Sequence, residues 1–523
     1  MPPSRGLSMP RFAALFSFLA PLDAEPLPYP FVPSDVAQLQ RLCPGPDAID
    51  AQTWDDLLLA PYSDALSTGV GIAGCQVLHQ RLASGGADDR TAQLRALMAD
   101  PAGLAALHGT LRPLRRIEVE PATLLYEAAP PRKPGWIGWA GLLPVALIAS
   151  ILAVAWSPAA WLPAGAVLFF LMSLQMQYYQ RVEEWSRQLQ ALRHVLAATA
   201  LVGEAGRDGF RDMAPQARAL HKQLGRSHVM QLPGAKAYAD WFALANVTHY
   251  FHSAARVFEH RDFLRGCYLA CANLEADIAL ARHLLGRGDW CWSVRSDSTA
   301  LALDGAVHPL MQQASPLSLA LGEKGAFLSG RNGVGKSTFL RTVGINLLAA
   351  RAFGFCYARS ATLPALPVHA SMRSEDSLLA GESLYLAELR RARELLAASR
   401  RDVPGIFLVD EIFRGTNHLE SVSAAAAVID DLASRALVLV SSHNLVLAPL
   451  LAHRLDPYFI TRATNGALTL APGVLAHTNG LSLLADHGFG EGIERNAARV
   501  CAWLGEREVA VDKGTALAWH GAM

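Results

Sequence analysis

The chain has 523 residues, too long for one hydrophobic core, so two to four domains are expected. Its 46 basic and 46 acidic side chains cancel, which removes the strongly basic domain as an argument for nucleic-acid binding and leaves only a local basic face. Hydrophobic residues make up 51% and charged residues 18%, with a mean hydropathy of +0.20, an apolar balance that points to a membrane segment. The seven cysteines (Cys43, Cys75, Cys267, Cys271, Cys291, Cys356 and Cys501) are scattered, and no second pair joins Cys267 and Cys271 at metal-like spacing. They read as buried free thiols in a reducing compartment.

At the N-terminus, Arg5 and Arg11 precede a short apolar run, Phe12 to Leu19. Asp23 and Glu25 follow it without a small-residue cleavage site, so an amphipathic starting helix is expected rather than a secretory signal. Residues 34–115 read as helical from "DVAQLQRL" and "TAQLRALMAD", with Thr53 as the N-cap of a further helix. This N-terminal helical region, residues 1–130, ends in the linker "EAAPPRKPG" (127–135), whose prolines stop helices.

Residues 131–180 predict a transmembrane helical hairpin. No charged residue occurs between Pro134 and Gln180, and Trp136 to Trp156 is a 21-residue apolar stretch, about the length that crosses a bilayer core. "SPAAWLP" turns the chain, and Leu162 to Leu174 continues apolar into "QMQYY". Trp136, Trp139, Trp156, Trp161, Tyr178 and Tyr179 fall near the predicted ends, where aromatic rings favour the interface. Arg112, Arg115, Arg116, Arg132, Lys133, Arg181 and Arg187 lie outside the hairpin, which places both large flanking parts in the cytoplasm. The alternative is a hairpin buried in a soluble core. Residues 181–298 read as a helical core and lever region, with breaks near Gly203–Gly209 and at Pro233-Gly234.

From about residue 299 to 523 the texture becomes α/β. "GAFLSG", "GIFLVDE" and "ALVLVSSHN" alternate with helical stretches, which predicts a largely parallel sheet. Gly330-Arg-Asn-Gly-Val-Gly-Lys336-Ser337 fits G-x-x-x-x-G-K-[ST] after a strand, Ala326 to Ser329, and before a helix, Thr338 onward. Gly330, Asn332, Gly333, Gly335 and Thr338 belong to a backbone cradle for phosphates; Lys336 would pair with β/γ-phosphate oxygens and Ser337 would ligate Mg²⁺. Ile406-Phe-Leu-Val-Asp410-Glu411 is a buried strand ending in two carboxylates, of which Asp410 would hold Mg²⁺ and Glu411 would activate the attacking water. The next strand, Leu437 to Val440, ends in Ser441-Ser442-His443, which places an imidazole within reach of the γ-phosphate. An Asp-Glu pair with a later histidine indicates an ABC-type ATPase rather than a GTPase or a kinase.

Within that class, the chain resembles the MutS family. The resemblance is carried by "GRNGVGKSTFLRT" (330–342), "DEIFRGTN" (410–417) and "SSHNLVL" (441–447), supported by Val307-His308-Pro309-Leu310 and "AGESLYLAE" (380–388), with Tyr385 in the aromatic place. "GVLAHTNGLSLLADHGFGEGIERNAARV" (473–500) is similar to the helical extension after the family's ATPase core. The resemblance implies a dimer with composite ATP sites, in which Ser383 faces the partner's γ-phosphate and Gly415 and Thr416 lie at the dimer seam. It also implies DNA as a partner. Residues 52–85 are similar to the start of the family core, but a mismatch-reading domain and a Phe-x-Glu wedge are not found, and Phe413 stands where the family pattern has glycine. The candidate DNA contacts are Arg207, Arg211, Arg218, Lys222 and Arg226 on one helical stretch, interleaved with Glu204, Asp208 and Asp212. Weak, salt-sensitive binding blind to mismatches is expected.

The expected fold is therefore multidomain α and α/β, and the expected function a membrane-anchored MutS-like ATPase using ATP and Mg²⁺. The alternatives are an ABC-type transport or signalling subunit with no DNA role, which lacks support from a Leu-Ser-Gly-Gly-Gln signature, and a scaffold with a vestigial pocket.

Overall fold

The computed structural model describes residues 31–505 apart from 46, 87–89, 227–232, 373–383, 464–465, 476–483 and 485–486. The expected starting helix falls in residues 1–30, outside the described residues. The chain forms two compact units that do not follow chain order: residues 1–35, 69–73 and 106–271 make the first, and residues 36–68, 74–105 and 272–523 the second.

The described part of the first unit is helical, built on one long helix, Trp161–Glu204. Leu189, Leu192, Val195, Leu196, Thr199 and Val202 recur at helical spacing and are all buried, so this stripe is the seam against which Ala214–Leu224 and Ala245–Glu259 pack. Trp185 Nε1 donates to Ser253 Oγ at 2.8 Å, fixing the long helix to Ala245–Glu259. The helix stops at Glu204, just before Gly206 and Gly209, both at positive φ.

The uncharged stretch departs from the expected pair of spans. Residues 135–157 do not form one helix: Gly135–Trp139 is a 3₁₀ turn and Leu142–Ala153 a helix of 12 residues, rising about 18 Å against a bilayer core of about 30 Å. Gly135, Gly138 and Gly141 all fall in this entry, where the missing side chains leave nothing to hold an α-helical start. Among the described residues, one helix is long and apolar enough to cross a membrane, the one running through Trp161–Glu204. Leu143 and Leu147 of the short helix join Leu171, Leu174 and Tyr178 of the long one in a cluster with Val247 and Phe251. The soluble-core alternative does not fit either: only 22% of the long helix's apolar window is buried, and Trp156, Leu162, Phe169 and Met176 are at least 75% exposed.

The second unit contains the α/β fold. Its strands are β1 (Cys291–Trp292), β2 (Val294–Ser296), β3 (Leu301–Ala306), β4 (Leu317–Leu321), β5 (Gly325–Gly330), β6 (Phe355–Cys356), β7 (Ser360–Pro364), β8 (Val368–Ser371), β9 (Ile406–Asp410), β10 (Leu437–Ser441), β11 (Leu455–Arg462) and β12 (Leu468–Pro472). Six of them form the central sheet in the order β12-β11-β5-β10-β9-β8, parallel throughout except for β12. The strands β5, β9 and β10 are continuous apolar runs, as both faces are covered. On one face, Phe407, Val409, Val438 and Val440 pack with Leu395 of helix Leu384–Ser399 and Ile429 of helix His418–Ala433. A smaller sheet, β2-β7-β3-β4, and the pair β1-β6 complete the unit.

Helix Ala51–Asp56 seals the β8 edge of the central sheet. Its N-cap is Asp50, not Thr53: the Asp50 carboxylate accepts from Thr53 N at 2.8 Å. The Thr53 hydroxyl is needed elsewhere, donating to Asp50 Oδ2 at 2.8 Å and accepting from Ala370 N at 2.9 Å. Asp56 Oδ2 accepts from Met372 N at 2.8 Å, so two outward N–H groups at this edge are satisfied by helix side chains. Arg391 reaches Asp50 Oδ1 at 3.0 Å and Thr53 Oγ1 at 3.1 Å. All seven cysteines are free, but only Cys75, Cys267, Cys271 and Cys356 are buried; Cys43 and Cys291 are half-buried and Cys501 is exposed. At the C-terminal end, helix Glu491–Gly505 supplies the described part of the expected extension.

Candidate functional site

The site forms where β5, β10 and β9 end side by side. All six residues of β5 are buried, and the chain turns directly into helix Lys336–Phe353. Gly333 and Gly335 take φ of 72° and 106°, values that side-chain-bearing residues adopt at a cost. The helix begins at Lys336, two residues earlier than its sequence signal at Thr338. Lys336 is buried and folds back over the loop, with Nζ donating to Gly330 O at 3.1 Å and Arg331 O at 3.5 Å. Burial lowers its ammonium pKa, and the Glu411 and Asp410 carboxylates oppose that shift. Ser337 and Thr338 sit half-buried in the first helical turn, with Asn332 and Gly333 exposed at the loop tip.

The carboxylate pair arrives on the strand two places away. The register pairs Ser441 with both Leu328 of β5 and Asp410 of β9, so β10 holds the phosphate loop and the carboxylates at one level. Ser441 Oγ donates to Asp410 Oδ1, and Glu411 N donates to Ser441 O at 3.0 Å. Glu411 has φ of 53°, which swings its carboxylate off the strand line toward His443, whose Nε2 pairs with Glu411 Oε1. That bond leads the forces lowering the Glu411 pKa; burial opposes it, and Arg414 and Lys336 add to the lowering. Arg414 Nη1 stands 3.5 Å from Glu411 Oε2. Lys336, Asp410, Glu411 and His443 thus converge, while no group of three or more His, Cys, Asp or Glu able to hold a metal occurs among the described residues. The donor set suits Mg²⁺, which takes one or two protein oxygens and completes its shell with phosphate and water. Ser337 and Asp410 offer those oxygens.

The loop after β9 and the helix beside it carry two groups that sequence reasoning did not assign, Arg414 and Glu388. Gly415 N donates to the buried Glu388 Oε2 at 3.2 Å, and Arg414 Nε lies 3.7 Å from Glu388 Oε1. A Cβ on Gly415 would stand 2.7 Å from Tyr385 N, so helix Leu384–Ser399 and this loop touch backbone to backbone. Phe413 has φ of 60° and is almost fully buried, with its ring edge-on to Tyr385. The left-handed backbone explains why glycine suits this position, and ring burial is what holds a phenylalanine there. The signal was present in the phenylalanine itself, an apolar residue in a glycine's place. The Thr416 hydroxyl bonds Glu420 Oε2 at 2.6 Å, and Asn417 caps the next helix. Ser383 lies outside the described residues.

The five basic candidates for DNA contact do not share one helix. Arg207 and Arg211 lie in the turn after Glu204, Arg218 and Lys222 lie on helix Ala214–Leu224, and Arg226 follows its end. Arg218 pairs with Glu204 and Arg226 with Asp240, so two of the five are already neutralised.

Residues 326–457 match the family model described as MutS domain V. The chain is 28% identical over 207 residues to DNA mismatch repair protein MutS 1 of Haloarcula marismortui, covering 38% of this chain and 22% of that protein. It is 29% identical over 216 residues to DNA mismatch repair protein MutS of Thermus aquaticus, covering 39% and 26% respectively. It is 24% identical over 361 residues to the protein of that name from Thermus thermophilus, covering 67% and 41%. The chain thus spans well under half the length of these relatives. The second unit carries a MutS domain V-type P-loop ATPase domain.

Proposed function

We propose that the chain is a membrane-anchored MutS-like ATPase that binds and hydrolyses Mg–ATP as a dimer with composite sites, coupling closure of that dimer to DNA or to a protein partner. The observation that carries the reading is the convergence of Lys336, Asp410, Glu411 and His443 on three adjacent strand ends. In this reading the N–H groups of Gly333 to Ser337 and the Lys336 ammonium grip the β/γ-phosphates, and Ser337 and Asp410 hold the metal. The metal, when bound, neutralises charge building on the transferring phosphoryl group. Glu411 orients and deprotonates the attacking water, and His443 positions Glu411 and faces the γ-phosphate. Ser383 and the Gly415–Thr416 loop are assigned to the partner's site.

Anchoring is supported by the exposed apolar side chains of residues 139–179 and by the absence of any charge between Pro134 and Gln180. In this reading the uncharged stretch inserts as a hairpin in which the short helix Leu142–Ala153 packs against the long helix that is able to cross, and the flanking parts remain on the cytoplasmic side. Residues 181–298 serve as the lever, and 131–180 as the anchor between a helical N-terminal region (1–130) and the ATPase region (299–523). DNA engagement is weak and indifferent to mismatches, in keeping with the neutralised Arg218 and Arg226.

The test is ATP turnover by the detergent-solubilised full chain across a protein concentration series, with its mass followed by light scattering. Mg²⁺-dependent turnover that rises per molecule as an ATP-dependent dimer forms supports the reading. Turnover by a strict monomer sinks the composite site, and no turnover at all sinks the activity. A parallel titration with matched and single-mismatch duplexes at two salt concentrations settles the DNA term: a mismatch preference that survives high salt overturns it.

A further inference from the structure

Three contacts fix the level of residues 237–253 against the long helix Trp161–Glu204. Trp185 Nε1 donates to Ser253 Oγ at 2.8 Å. The Tyr178 ring stands edge-on to Phe251, with centroids 5.6 Å apart. Further toward the turn, Leu168 and Met172 share an open groove with Tyr238, Trp241 and Phe242 of helix Pro233–Phe242. Arg181 is the first charged residue of the long helix, and Met172 and Leu168 lie about 14 Å and 20 Å from it along the helix axis. Half of a bilayer core is about 15 Å. A membrane that takes the long helix as far as Arg181 therefore takes this groove with it.

The groove is built of side chains that suit that depth. Tyr238, Trp241 and Phe242 are three and four apart and share one helix face, with the Tyr238 and Phe242 rings stacked at 19°. All five side chains of the groove are at least 39% exposed, and Tyr238 is 70% exposed. Asp240 is the single Asp, Glu, Lys or Arg between Lys236 and Arg256. It is paired with Arg226, whose Nη1 donates to Asp240 Oδ2 at 3.2 Å, so the one carboxylate of the stretch is neutralised. The backbone is also satisfied where this helix gives way to Ala245–Glu259. Ala243 N donates to Ala239 O at 3.1 Å, Val247 N to Asn246 Oδ1 at 2.9 Å and Thr248 N to Leu244 O at 2.9 Å.

We propose that helix Pro233–Phe242 is itself seated in the bilayer, with its Tyr238, Trp241 and Phe242 face against phospholipid acyl chains of the cytoplasmic leaflet. It is a third membrane-contacting element, within the stretch otherwise assigned to the lever, and it rests on the membrane-anchor reading given above. Acyl chains are the occupant because the groove's second wall is the helix that meets them. Leu168 and Met172 are continuous with Phe169 and Met176 of the same helix, which are 76% and 75% exposed. A soluble partner would have to reach into the leaflet to cover a face level with these residues. The lever is thereby tied to the membrane at two places, the hairpin and this helix.

The experiment uses the unaltered full chain in phosphatidylcholine vesicles that contain a phosphatidylcholine with a diazirine midway along one acyl chain. After irradiation, lipid adducts are mapped by mass spectrometry. Phe169 and Met176 report the hairpin, Tyr238, Trp241 and Phe242 report the proposed helix, and helix Ala214–Leu224 sets the background. Adducts on the aromatic face are expected within about threefold of those on Phe169 and Met176. Trp241→Glu places a charge on an exposed position and should cut labelling of the Tyr238 and Phe242 peptide about fivefold, with Phe169 labelling kept. Background labelling at Tyr238, Trp241 and Phe242 beside strong labelling of Phe169 and Met176 overturns the proposal and leaves the anchor standing. Labelling undiminished by Trp241→Glu also overturns it. Background labelling at every site sinks the anchor reading and the proposal with it. A photoreactive phenylalanine in place of Tyr238 tests the other occupant: crosslinks between two copies of the chain instead of to lipid overturn the acyl-chain assignment.

Discussion

Glu411→Gln separates chemistry from binding at the strand-end site. The amide has the size of the carboxylate and can still accept from His443, so the loop at φ of 53° has no steric reason to move. What disappears is the negative charge and the basicity. Removal of a positioned general base costs about 10²- to 10⁴-fold in rate, or roughly 3–5 kcal/mol of barrier. ATP affinity should hold or tighten, because a carboxylate near Lys336 no longer competes with the triphosphate for that ammonium. Phosphate release and filter binding on the same preparation measure the two terms. The acid limb adds a second check. His443 leads the forces that hold the Glu411 pKa below its ordinary 4.5, so the base stays ionised to lower pH than a free glutamate. His443→Ala removes that force and leaves burial to push the pKa up, so the acid limb of turnover should move to higher pH. Turnover at the parent rate in Glu411→Gln, or an acid limb unmoved by His443→Ala, would refute the assignment of the base.

Lys336→Ala should weaken ATP binding by roughly ten- to a hundredfold, since the lost partner is a charged donor; unchanged affinity in a fluorescent-nucleotide titration counts against the phosphate cradle. Thr53→Val leaves the buried Ala370 N–H without its acceptor and should cost about 2–3 kcal/mol, read as a lower urea midpoint for the transition that reports the central sheet; a shift within error sinks the edge-sealing role. Asp50 adds a pH signature: burial raises its pKa, but His369, Arg391 and Thr53 together hold it well below the carboxylate range. A depressed pKa stabilises the fold above the unfolded value of about 4 and loses that contribution as pH falls toward the folded value, so Asp50→Asn should be destabilised at neutral pH and progressively less so in acid. A cysteine placed at Ala159 in a cysteine-free background should label from outside the cytoplasm while one at Arg187 stays protected; recovery of the chain in the soluble fraction after lysis removes the anchor.

Legibility in the sequence tracked how local each cause was. The phosphate loop, the β9 carboxylates and the β10 histidine were readable because each is a few contiguous residues at a strand end, where the chain itself dictates the turn. The N-cap was misplaced by three residues because Thr53 is a good cap by type. Its hydroxyl is instead claimed by Ala370 and Arg391, partners more than 300 residues away that no window along the chain reveals. The uncharged stretch showed the converse failure. Hydropathy counts side chains, and by that measure Trp136 to Trp156 is one span. Helix continuity is a backbone property, and three glycines spaced three apart, Gly135, Gly138 and Gly141, divide the same stretch into a 3₁₀ turn and a short helix. Phe413 joins the two cases. Its departure from the glycine pattern was visible in the sequence, but only the left-handed φ and the contact with Tyr385 show that burial of the ring offsets the backbone strain. The position therefore couples the carboxylate loop to helix Leu384–Ser399. Phe413→Gly would relax the backbone while removing the contact, so its effect should fall on how firmly Glu388 and Gly415 hold that loop rather than on the strand that carries Asp410.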